Sequence, residues 1–569
     1  MSTLNASRAA DSGSTRLTMA AVIDMISADV DLSERKRQEI RSAFNTLSKA
    51  FQCPLADLEA NPRSLNARLQ NFTPAMAGLS KPRWHNAISL MRFALKHLNV
   101  IDLPARSTTP FAPEWAALFQ PLTRMGDRLA LAKFARFCSD AGIQPDDVTD
   151  ATFDAFLKAL TERAVVKLPH KVHRKAVVTW NRLVSTTRNW PSQLVAVPSY
   201  SRVFVLPWKQ FPATLKADVD AYLDRLAGSD LLGEDGFKPL APRSLKTRRH
   251  QLHAYLSSLV LEGHDAATLI SLAVVVQPET VRKGLNFFIK RSTAKNYKQA
   301  HDIARMLVSL ARHFVQADPE TLVSLSNFGK RLRSTEFGMS PKNVDRMRQF
   351  DDADNVRALL LLPRQILAEV AKETVPTRSL ALKVQSALAI ELLLMVPMRR
   401  TNLAKLNIAE HIVRSRRNVV RLSIPGTEVK NGVPIDTILT AETAELLDLY
   451  LTRYRPSLTE VPSPWLFPGL PNRPKSCERL AGQISDCVKD RLGLLVNPHL
   501  FRHIAAKLCL DRHPGQYGLV RLMHGHRSVD TTTRFYCSME TKPAHDLYDR
   551  LIANIRDQEA PKPPPRQER

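Results

Sequence analysis

Three short motifs near the end of the chain decide how the rest of it is interpreted. They are Asn497-Pro-His-Leu-Phe-Arg-His503, His524-Gly-His526 and Thr533-Arg-Phe-Tyr536. A tyrosine hydroxyl can attack a phosphate while arginine and histidine side chains hold the negative charge that builds on the phosphate oxygens. The alternative is that these are ordinary polar residues of a basic helical domain. The choice between the two depends on whether matching residues lie upstream.

The charge of the chain indicates its class of partner. The 569 residues include 81 Lys and Arg against 55 Asp and Glu, which gives a net charge of +26. Such an excess is typical of proteins that bind a polyanion, most often nucleic acid. Charge alone does not exclude a basic protein that binds no DNA.

Cysteine usage and hydropathy indicate in which cellular compartment the protein is expected. No C-x-x-C pair occurs, which argues against a zinc site and a disulfide framework and fits a reducing cytoplasm. The first 15 residues lack the apolar core of a signal peptide, and the apolar run Leu388 to Met398 is too short to span a bilayer. We therefore expect a cytoplasmic, nucleoid-associated protein with no membrane partner, no metal and no other cofactor. The six cysteines are scattered: Cys53, Cys138, Cys477, Cys487, Cys509 and Cys537.

Helical periodicity dominates up to about residue 340. It divides into three blocks, each of which opens with a helix, crosses an acidic turn and closes with a basic helix that carries an aromatic residue. Proline-rich and polar stretches separate the later blocks. We predict a flexible tail (1–18), three helical domains (19–108, 109–190 and 213–340), two linkers (191–212 and 341–355), a C-terminal domain (356–558) and a disordered tail (559–569).

The basic closing helices suggest a DNA contact. Lys and Arg on one helix face suit a phosphate backbone, and interleaved aromatic rings could pack against sugars or bases. For the rings of Trp84, His173, Trp180 and Tyr297, a place in the core is the stronger interpretation. The third block has the densest clusters, and its DNA-binding candidates are Arg243, Lys246, Arg248, Arg249, Lys290, Arg291, Lys295 and Lys298.

The pattern changes beyond residue 355. An apolar helix, Ser379 to Met398, leads into Arg399, and two alternating runs at 418–424 and 433–439 predict β-strands. The Asn431-Gly432 pair between the runs is a turn signal, so Lys430 is expected at the tip of a β-hairpin. An ordinary solvated turn lysine is the alternative. The fold class predicted for the whole chain is mainly α, multidomain, with a small β-hairpin or sheet.

With these residues in order, the C-terminal part resembles the catalytic domain of the tyrosine recombinase (phage integrase) family. That family places an Arg at a helix junction, a Lys on a β-hairpin, then H-x-x-R, a Gly-His and a Tyr. Pro397 stands where the family usually has Gly, Asn402 where it usually has an acidic residue, and Cys537 where a His frequently follows the tyrosine. The matching catalytic candidates are Arg399, Lys430, His499, Arg502, His526 and Tyr536.

The resemblance implies a site-specific DNA recombinase or integrase, a strand transferase independent of metal and ATP. Tyr536 would attack a phosphodiester and form a 3′-phosphotyrosine, and strand exchange would pass through a Holliday junction. Arg399 and Arg502 would present guanidinium donors to the phosphate oxygens. Lys430 would protonate the departing 5′ oxygen, and His499 would assist as base.

The resemblance also implies partners. Residues 213–340 would be a core-binding-like domain that closes a C-shaped clamp on double-stranded DNA, within a homotetramer and with accessory recombination proteins. The longer N-terminal region would suit an integrase or transposase of a mobile element. The helix Ala544 to Ile555 would dock on its own domain or on a neighbouring subunit. A type IB topoisomerase, a hairpin telomere resolvase and a non-catalytic DNA-binding accessory protein remain as alternatives.

Overall fold

The computed structural model describes residues 16–103, 110–198, 204–228, 239–292, 297–333, 338–415, 419–536 and 541–559. The chain forms two compact units, one of Met1–Pro198 with Gly338–Arg569 and the other of Ser199–Phe337. Helices dominate both units, and the one sheet of the described residues is small, so the predicted fold class is confirmed. Residues 1–15 and 560–569, which hold most of the two predicted tails, lie outside the described residues. No described helix has both the length and the apolar content needed to cross a membrane.

The N-terminal part of the first unit contains two helical domains. Thr18, Ser33, Asn61 and Ser80 each accept a backbone N–H at a helix start, which satisfies donors that the helix itself leaves free. Trp84, His173 and Trp180 are buried, as the core interpretation predicted. The helices are α1 (Met19–Ala28), α2 (Glu34–Phe51), α3 (Pro62–Asn71), α4 (Lys81–His97), α5 (Pro113–Phe119), α6 (Met125–Asp140), α7 (Asp150–Glu162) and α8 (Pro169–Thr186).

The two helical domains interlock through the segment that follows α7. Val165 is buried in the hydrophobic core of the first domain rather than the second. The Asn66 side chain donates to Ala164 O at 3.0 Å and accepts from Val166 N at 2.6 Å. Because a buried backbone segment needs such partners, this amide fixes how the second domain sits on the first.

The second unit is a separate helical domain with its own core. Within the stretch 191–212, which the sequence predicts to be a linker, Val195 is buried in the core of the second N-terminal domain and Phe211 in the core of this unit. Each end of the stretch thus carries an apolar residue that is buried in the core of its own unit, and residues 199–203 lie outside the described residues. The helices are α9 (Ala213–Ala227), α10 (Pro242–Leu261), α11 (Leu272–Val275), α12 (Pro278–Lys290), α13 (Lys298–Leu310) and α14 (Pro319–Arg331).

The C-terminal domain, residues 338–559, completes the first unit. Its sheet has the order β1-β2-β3 with antiparallel pairing, and Leu422 pairs with Thr437 across the predicted hairpin. The short strand β1, most of it exposed, was not predicted. The elements are α15 (Pro341–Met347), α16 (Ala353–Val370), α17 (Arg378–Met395), α18 (Arg400–Ala404), α19 (Ile408–His411), β1 (Ile412–Arg414), β2 (Val420–Ile424), β3 (Ile435–Ile438), α20 (Ala441–Leu449), α21 (Cys477–Leu492), α22 (Leu500–Arg512), α23 (Tyr517–His524), α24 (Val529–Tyr536) and α25 (Thr541–Glu559).

The stretch 341–355, which the sequence predicts to be a linker, is largely helical. It forms α15 and the start of α16, and Met347 and Phe350 are buried in the core of the C-terminal domain. Asp351 forms an ion pair with the buried Lys507 of α22 at 3.0 Å. The stretch is mostly polar, yet its two apolar residues are buried in the domain core, and its ion pair connects it to α22, the helix that carries Arg502.

The first N-terminal domain packs on the end of α21. Thr73 donates its hydroxyl hydrogen to Lys489 O at 3.2 Å. Gly493 ends α21 with φ +75°, and a Cβ at this position would lie 2.7 Å from Met76 N. A side chain at residue 493 would therefore meet both left-handed backbone strain and a direct clash.

We predict that Gly493→Ala lowers the midpoint of thermal unfolding, with a loss of about 1–2 kcal/mol from the backbone conformation alone. Gly482→Ala, in the middle of the same helix with open space around it, is the matched control. It is expected to raise stability by up to about 1 kcal/mol through helix propensity. Equal midpoints for the two variants would contradict the close contact at Gly493.

Candidate active site

Arg399 lies at the junction between α17 and α18. It occupies the N-cap position of α18 and is half-buried, whereas the neighbouring Arg400 is exposed. Its Nη1 donates to Asn431 Oδ1 at 2.8 Å, and burial lowers the pKa of the guanidinium. The junction therefore turns the guanidinium of Arg399 toward the connection between β2 and β3.

Lys430 lies in that connection. A turn from Val429 to Gly432 closes with Gly432 N donating to Val429 O at 2.8 Å. Lys430 is exposed and forms no hydrogen bond or ion pair with the described residues. The neighbouring Asn431, by contrast, is held on both sides. The structure thus brings Arg399 close to the hairpin of Lys430 but leaves the lysine side chain free at the surface.

The start of α22 positions His499 and Arg502. Asn497 Oδ1 accepts from His499 N at 3.0 Å and from Leu500 N at 3.1 Å, which fixes the first turn of the helix. A three-residue spacing puts His499 and Arg502 on one helix face. His499 is exposed, yet desolvation by the surrounding protein and the charges of nearby arginines lower its pKa.

Arg502 is buried at the centre of the site. Its Nη1 donates to Pro397 O at 2.5 Å and its Nη2 to His524 O at 2.9 Å. The same Nη2 lies 3.4 Å from His526 Nε2. One guanidinium therefore joins the α17–α18 junction to the turn that ends α23, and burial lowers its pKa to about 10.

Tyr536 ends α24 and is only 2% exposed. The His503 ring lies 5.5 Å from the Tyr536 ring and the His524 ring 5.8 Å from it, measured between centroids. Burial raises the pKa of the phenol to about 12, and the nearby Arg502 opposes this rise. The hydroxyl is consequently protonated at neutral pH, and a base must take its proton before it can act as a nucleophile.

His526 is oriented by two hydrogen bonds. Its Nε2 faces the Arg502 guanidinium, which can only donate, so Nδ1 carries the ring hydrogen toward Thr532 Oγ1 at 3.0 Å. Burial lowers its pKa to about 4, so the ring is neutral near pH 7. His526 is thus an uncharged partner of Arg502 in this arrangement.

The site carries positive charge that no carboxylate of the described residues neutralises. Within the described ranges, neither Arg399 nor Arg502 forms an ion pair, and both guanidiniums donate only to neutral groups. Buried charges in proteins are ordinarily paired, because an unpaired one loses its hydration without compensation. The arrangement is therefore suited to receive an anion between the two guanidiniums.

Two buried histidines, His503 and His524, lie within the C-terminal motifs but were not among the predicted catalytic residues. His503 Nδ1 and both ring nitrogens of His524 have no hydrogen-bond partner within the described structure. Burial lowers the pKa of His503 to about 3 and that of His524 to about 2. The sequence signal that could have identified them is their position, because His503 directly follows Arg502 and His524 lies two residues before His526. Asn431 was interpreted only as a turn residue, and its side-chain contacts were missed.

One cluster in the described part of the chain has the geometry of a metal site: Glu410, His411 and Glu428 lie within 4.8 Å of one another by their ligand atoms. His411 Nδ1 accepts from Asn407 N at 3.0 Å, so the ring hydrogen sits on Nε2, 3.3 Å from Glu428 Oε1. A protonated Nε2 donates a hydrogen bond and cannot bind a metal ion. The cluster therefore fits a hydrogen bond that ties α19 to the hairpin.

The DNA-binding candidates of the second unit differ in what they contact. Arg249, Lys290 and Lys298 form ion pairs with Asp220, Glu262 and Asp302. Arg291 lies over the rings of Phe204 and Phe287, and Arg248 is half-buried beside Gln251. Arg243 and Lys246 are exposed and pair with none of the described residues. Lys295 lies outside the described residues.

We predict that His524→Leu stabilises the protein and flattens the acid side of its pH–stability curve. The unfolded chain binds a proton at His524 below pH 6.5, whereas in the folded state its pKa is lowered to about 2, so stability falls as the pH drops below 6.5. Removing one such group should reduce the slope by up to about 1.4 kcal/mol per pH unit. Urea unfolding at pH 7.5 and pH 5 measures how the free energy of unfolding changes with pH. The control is His85→Leu, because His85 is exposed. An unchanged slope would contradict the burial of a neutral His524.

Comparison with known proteins identifies the family that the C-terminal part of the chain matches. The model of the phage integrase family matches residues 364–542. No curated protein sequence matches the chain. Among solved structures, the chain is similar to XerH site-specific recombinase bound to palindromic difH in a post-cleavage complex, at 15% identity and a TM-score of 0.35 over 54% of this chain and 79% of that one. It is similar to a lambda integrase tetramer bound to a Holliday junction, at 15% identity and a TM-score of 0.34 over 63% and 86%.

Both TM-scores lie below 0.5. The family match stands without them, and it covers the α17–α18 junction, the hairpin and the start of α22 through Tyr536. Residues 364–542 therefore form a catalytic domain of the phage integrase family, the tyrosine recombinases.

Proposed function

We propose that this protein is a site-specific DNA recombinase that cuts and rejoins DNA strands through a covalent 3′-phosphotyrosine at Tyr536. The observation that carries the proposal is the pair of guanidiniums without carboxylate partners, Arg399 and Arg502, beside a buried tyrosine. A phosphodiester is an anion that could fill the space between them. The same charges would stabilise the additional negative charge of a pentacoordinate transition state.

The bond changes would follow from the placement of the side chains. The Tyr536 oxygen forms a bond to the scissile phosphorus while the bond from phosphorus to the 5′ oxygen breaks. Lys430 gives a proton to the departing 5′ oxygen, and a histidine takes the phenol proton. His499 is our candidate for that base, because its lowered pKa keeps the ring neutral at physiological pH. Rejoining reverses each step with a 5′ hydroxyl from a second strand.

The energy of the broken phosphodiester would be retained in the phosphotyrosine. A phenolate is a better leaving group than an alkoxide, since a phenol has a pKa of about 10. An attacking 5′ hydroxyl could then displace Tyr536 without ATP. The two guanidiniums would supply the positive charge that a metal ion provides in other phosphoryl-transfer enzymes.

The burial of Tyr536 supports a step that precedes the chemistry. Tyr536 is 2% exposed and its ring lies near the rings of His503 and His524, so we propose that α24 shifts when DNA fills the site and brings the hydroxyl to a phosphate. Arrival of the phosphate would supply the anion that Arg399 and Arg502 lack. Cleavage would thereby be restricted to DNA seated in the site.

Residues of the second unit are our candidates for holding the duplex. Arg243 and Lys246 on α10 are free to contact phosphates, whereas their paired neighbours would first have to leave carboxylates. We propose that this unit acts as the core-binding domain of a clamp around double-stranded DNA and that the active form is a homotetramer. The N-terminal domains would then serve as additional DNA-binding or assembly modules, which fits an integrase of a mobile element.

Related activities with the same chemistry give different products. A type IB topoisomerase would relax supercoils as a monomer without a defined site, and a hairpin telomere resolvase would leave closed ends. A DNA-binding accessory protein would form no covalent link. The retention of all six catalytic candidates favours an active enzyme over the accessory protein.

We predict that rapid denaturation of cells that express the protein captures it covalently on DNA, and that Tyr536→Phe abolishes this link. Tyr548→Phe, which changes an exposed tyrosine on α25, is the matched control and should retain capture. Sequencing the attached ends measures specificity. Adducts at one or a few sites support the recombinase, and dispersed adducts favour a topoisomerase. Equal capture by wild type and Tyr536→Phe, or no capture at all, would overturn the proposal.

We predict that Arg243→Gln and Lys246→Gln weaken DNA binding at all sequences and each reduce the slope of log affinity against log salt by about 1. Each change removes one phosphate contact and one released counterion. The matched control is Arg282→Gln on α12, because Arg282 already pairs with Glu279. Salt titrations with a fluorescent duplex provide the measurement. Slopes equal to that of the control would place the duplex elsewhere.

A further inference from the structure

Asn431 lies next to Lys430 and makes contacts that an ordinary turn residue does not make. Its Oδ1 accepts from Arg399 Nη1 at 2.8 Å, and its Nδ2 donates to Gly525 O. Its backbone carbonyl accepts from Arg527 Nε at 2.8 Å. One residue of the hairpin therefore touches both the α17–α18 junction and the turn that carries His526.

The side chain that would be expected to support Arg399 faces elsewhere. Asn402 replaces the acidic residue of the family pattern, is buried, and donates to Glu428 O at 3.3 Å. The only described partner of the Arg399 guanidinium is the amide of Asn431. A neutral amide can orient a guanidinium without neutralising it, whereas a carboxylate would compete with a phosphate for the same donors.

The opposite end of the same amide fixes the turn of His526. Gly525 ends α23 with φ +60°, a conformation that frees its carbonyl to face the hairpin. His524 O and Gly525 O are consecutive carbonyls, and they accept from Arg502 and Asn431 respectively. The turn is thus held from two directions by donors that belong to two different catalytic segments.

From these contacts we infer that Asn431 is a positioning residue that places the Lys430 hairpin relative to Arg399 and His526. This inference rests on the proposed function, because it concerns the delivery of a general acid. Lys430 itself is exposed and has no partner among the described residues that would hold it. Its ammonium group can be set only through the backbone of the hairpin, and Asn431 is the neighbouring residue whose side chain ties that backbone to both Arg399 and the turn of His526.

The chemistry of the leaving group separates this role from ordinary support of Arg399. When the 5′ bridging oxygen of the scissile phosphate is replaced by sulfur, the leaving group is a thiolate, and a thiol has a pKa of about 8.5. A thiolate departs without a proton, so a missing or misplaced general acid no longer slows cleavage. Loss of charge stabilisation at the phosphate oxygens slows both substrates alike.

The experiment uses the full-length protein and duplexes that carry the cleavage site returned by covalent capture, with oxygen or sulfur at the 5′ bridge. We expect Asn431→Ala to slow cleavage of the oxygen duplex at least tenfold and to raise the sulfur-to-oxygen rate ratio toward that of Lys430→Ala. Asn431→Asp, which keeps an acceptor for Arg399 and loses the donor to Gly525, should show the same rise in ratio. Arg399→Lys should be slow on both duplexes, and Thr427→Ala, at an exposed position of the same connection, should resemble wild type.

A wild-type ratio in Asn431→Ala would overturn the inference and leave Asn431 as a support for Arg399 alone. Hydrogen–deuterium exchange of the DNA-free protein tests the attachment without any cleavage. Peptides covering 426–432 and 524–527 should exchange faster in Asn431→Ala than in Thr427→Ala, and unchanged exchange in both peptides would also overturn it. Failure of Lys430→Ala to respond to sulfur, with cleavage intact, would instead contradict the assignment of Lys430 as the general acid.

Discussion

The buried guanidinium of Arg502 is the constraint on which the site depends. It donates to a carbonyl of the α17–α18 junction and to a carbonyl at the end of α23, which joins segments that are far apart in the chain. A buried cation of this kind is stable only when its donors are satisfied, so both carbonyls must be in place before the site can form. The geometry around Tyr536 follows from this requirement, because Arg502 binds the carbonyl of His524 and His526 stands two residues further along the chain.

The same constraint leaves the site electrostatically incomplete. Burial lowers the pKa of Arg502 to about 10 and raises that of Tyr536 to about 12, and both shifts express the cost of charge without water. A phosphate would relieve the first and, by completing the charge balance, allow a hydroxyl to ionise nearby. His503 Nδ1 and both ring nitrogens of His524 are also buried without a hydrogen-bond partner among the described residues, so they too carry a desolvation cost.

The sequence predicts the elements of this site better than its contacts. Arg502 and His499 follow from local spacing on one helix, and the hairpin of Lys430 follows from strand alternation and an Asn-Gly pair. The bridging role of Asn431 could not be predicted, because it depends on where Gly525 lies in space, 94 residues away in the chain. The helices at 341–355 could not be predicted for a related reason. Two apolar residues, Met347 and Phe350, outweigh a polar composition once a core is available to receive them.

The attachment of the N-terminal domain bears on the active site through a short segment of chain. Met76 packs against Gly493, and the chain then runs through Val496 to Asn497, whose side chain caps the helix of His499 and Arg502. Leu495 N donates to Gln349 Oε1 at 2.8 Å, so the same segment is also attached to the turn after α15. A force on the N-terminal domain would therefore reach the start of α22 within a few residues. The N-terminal domains and the candidate catalytic residues therefore meet in this connection, which gives an added module a direct structural link to the candidate site.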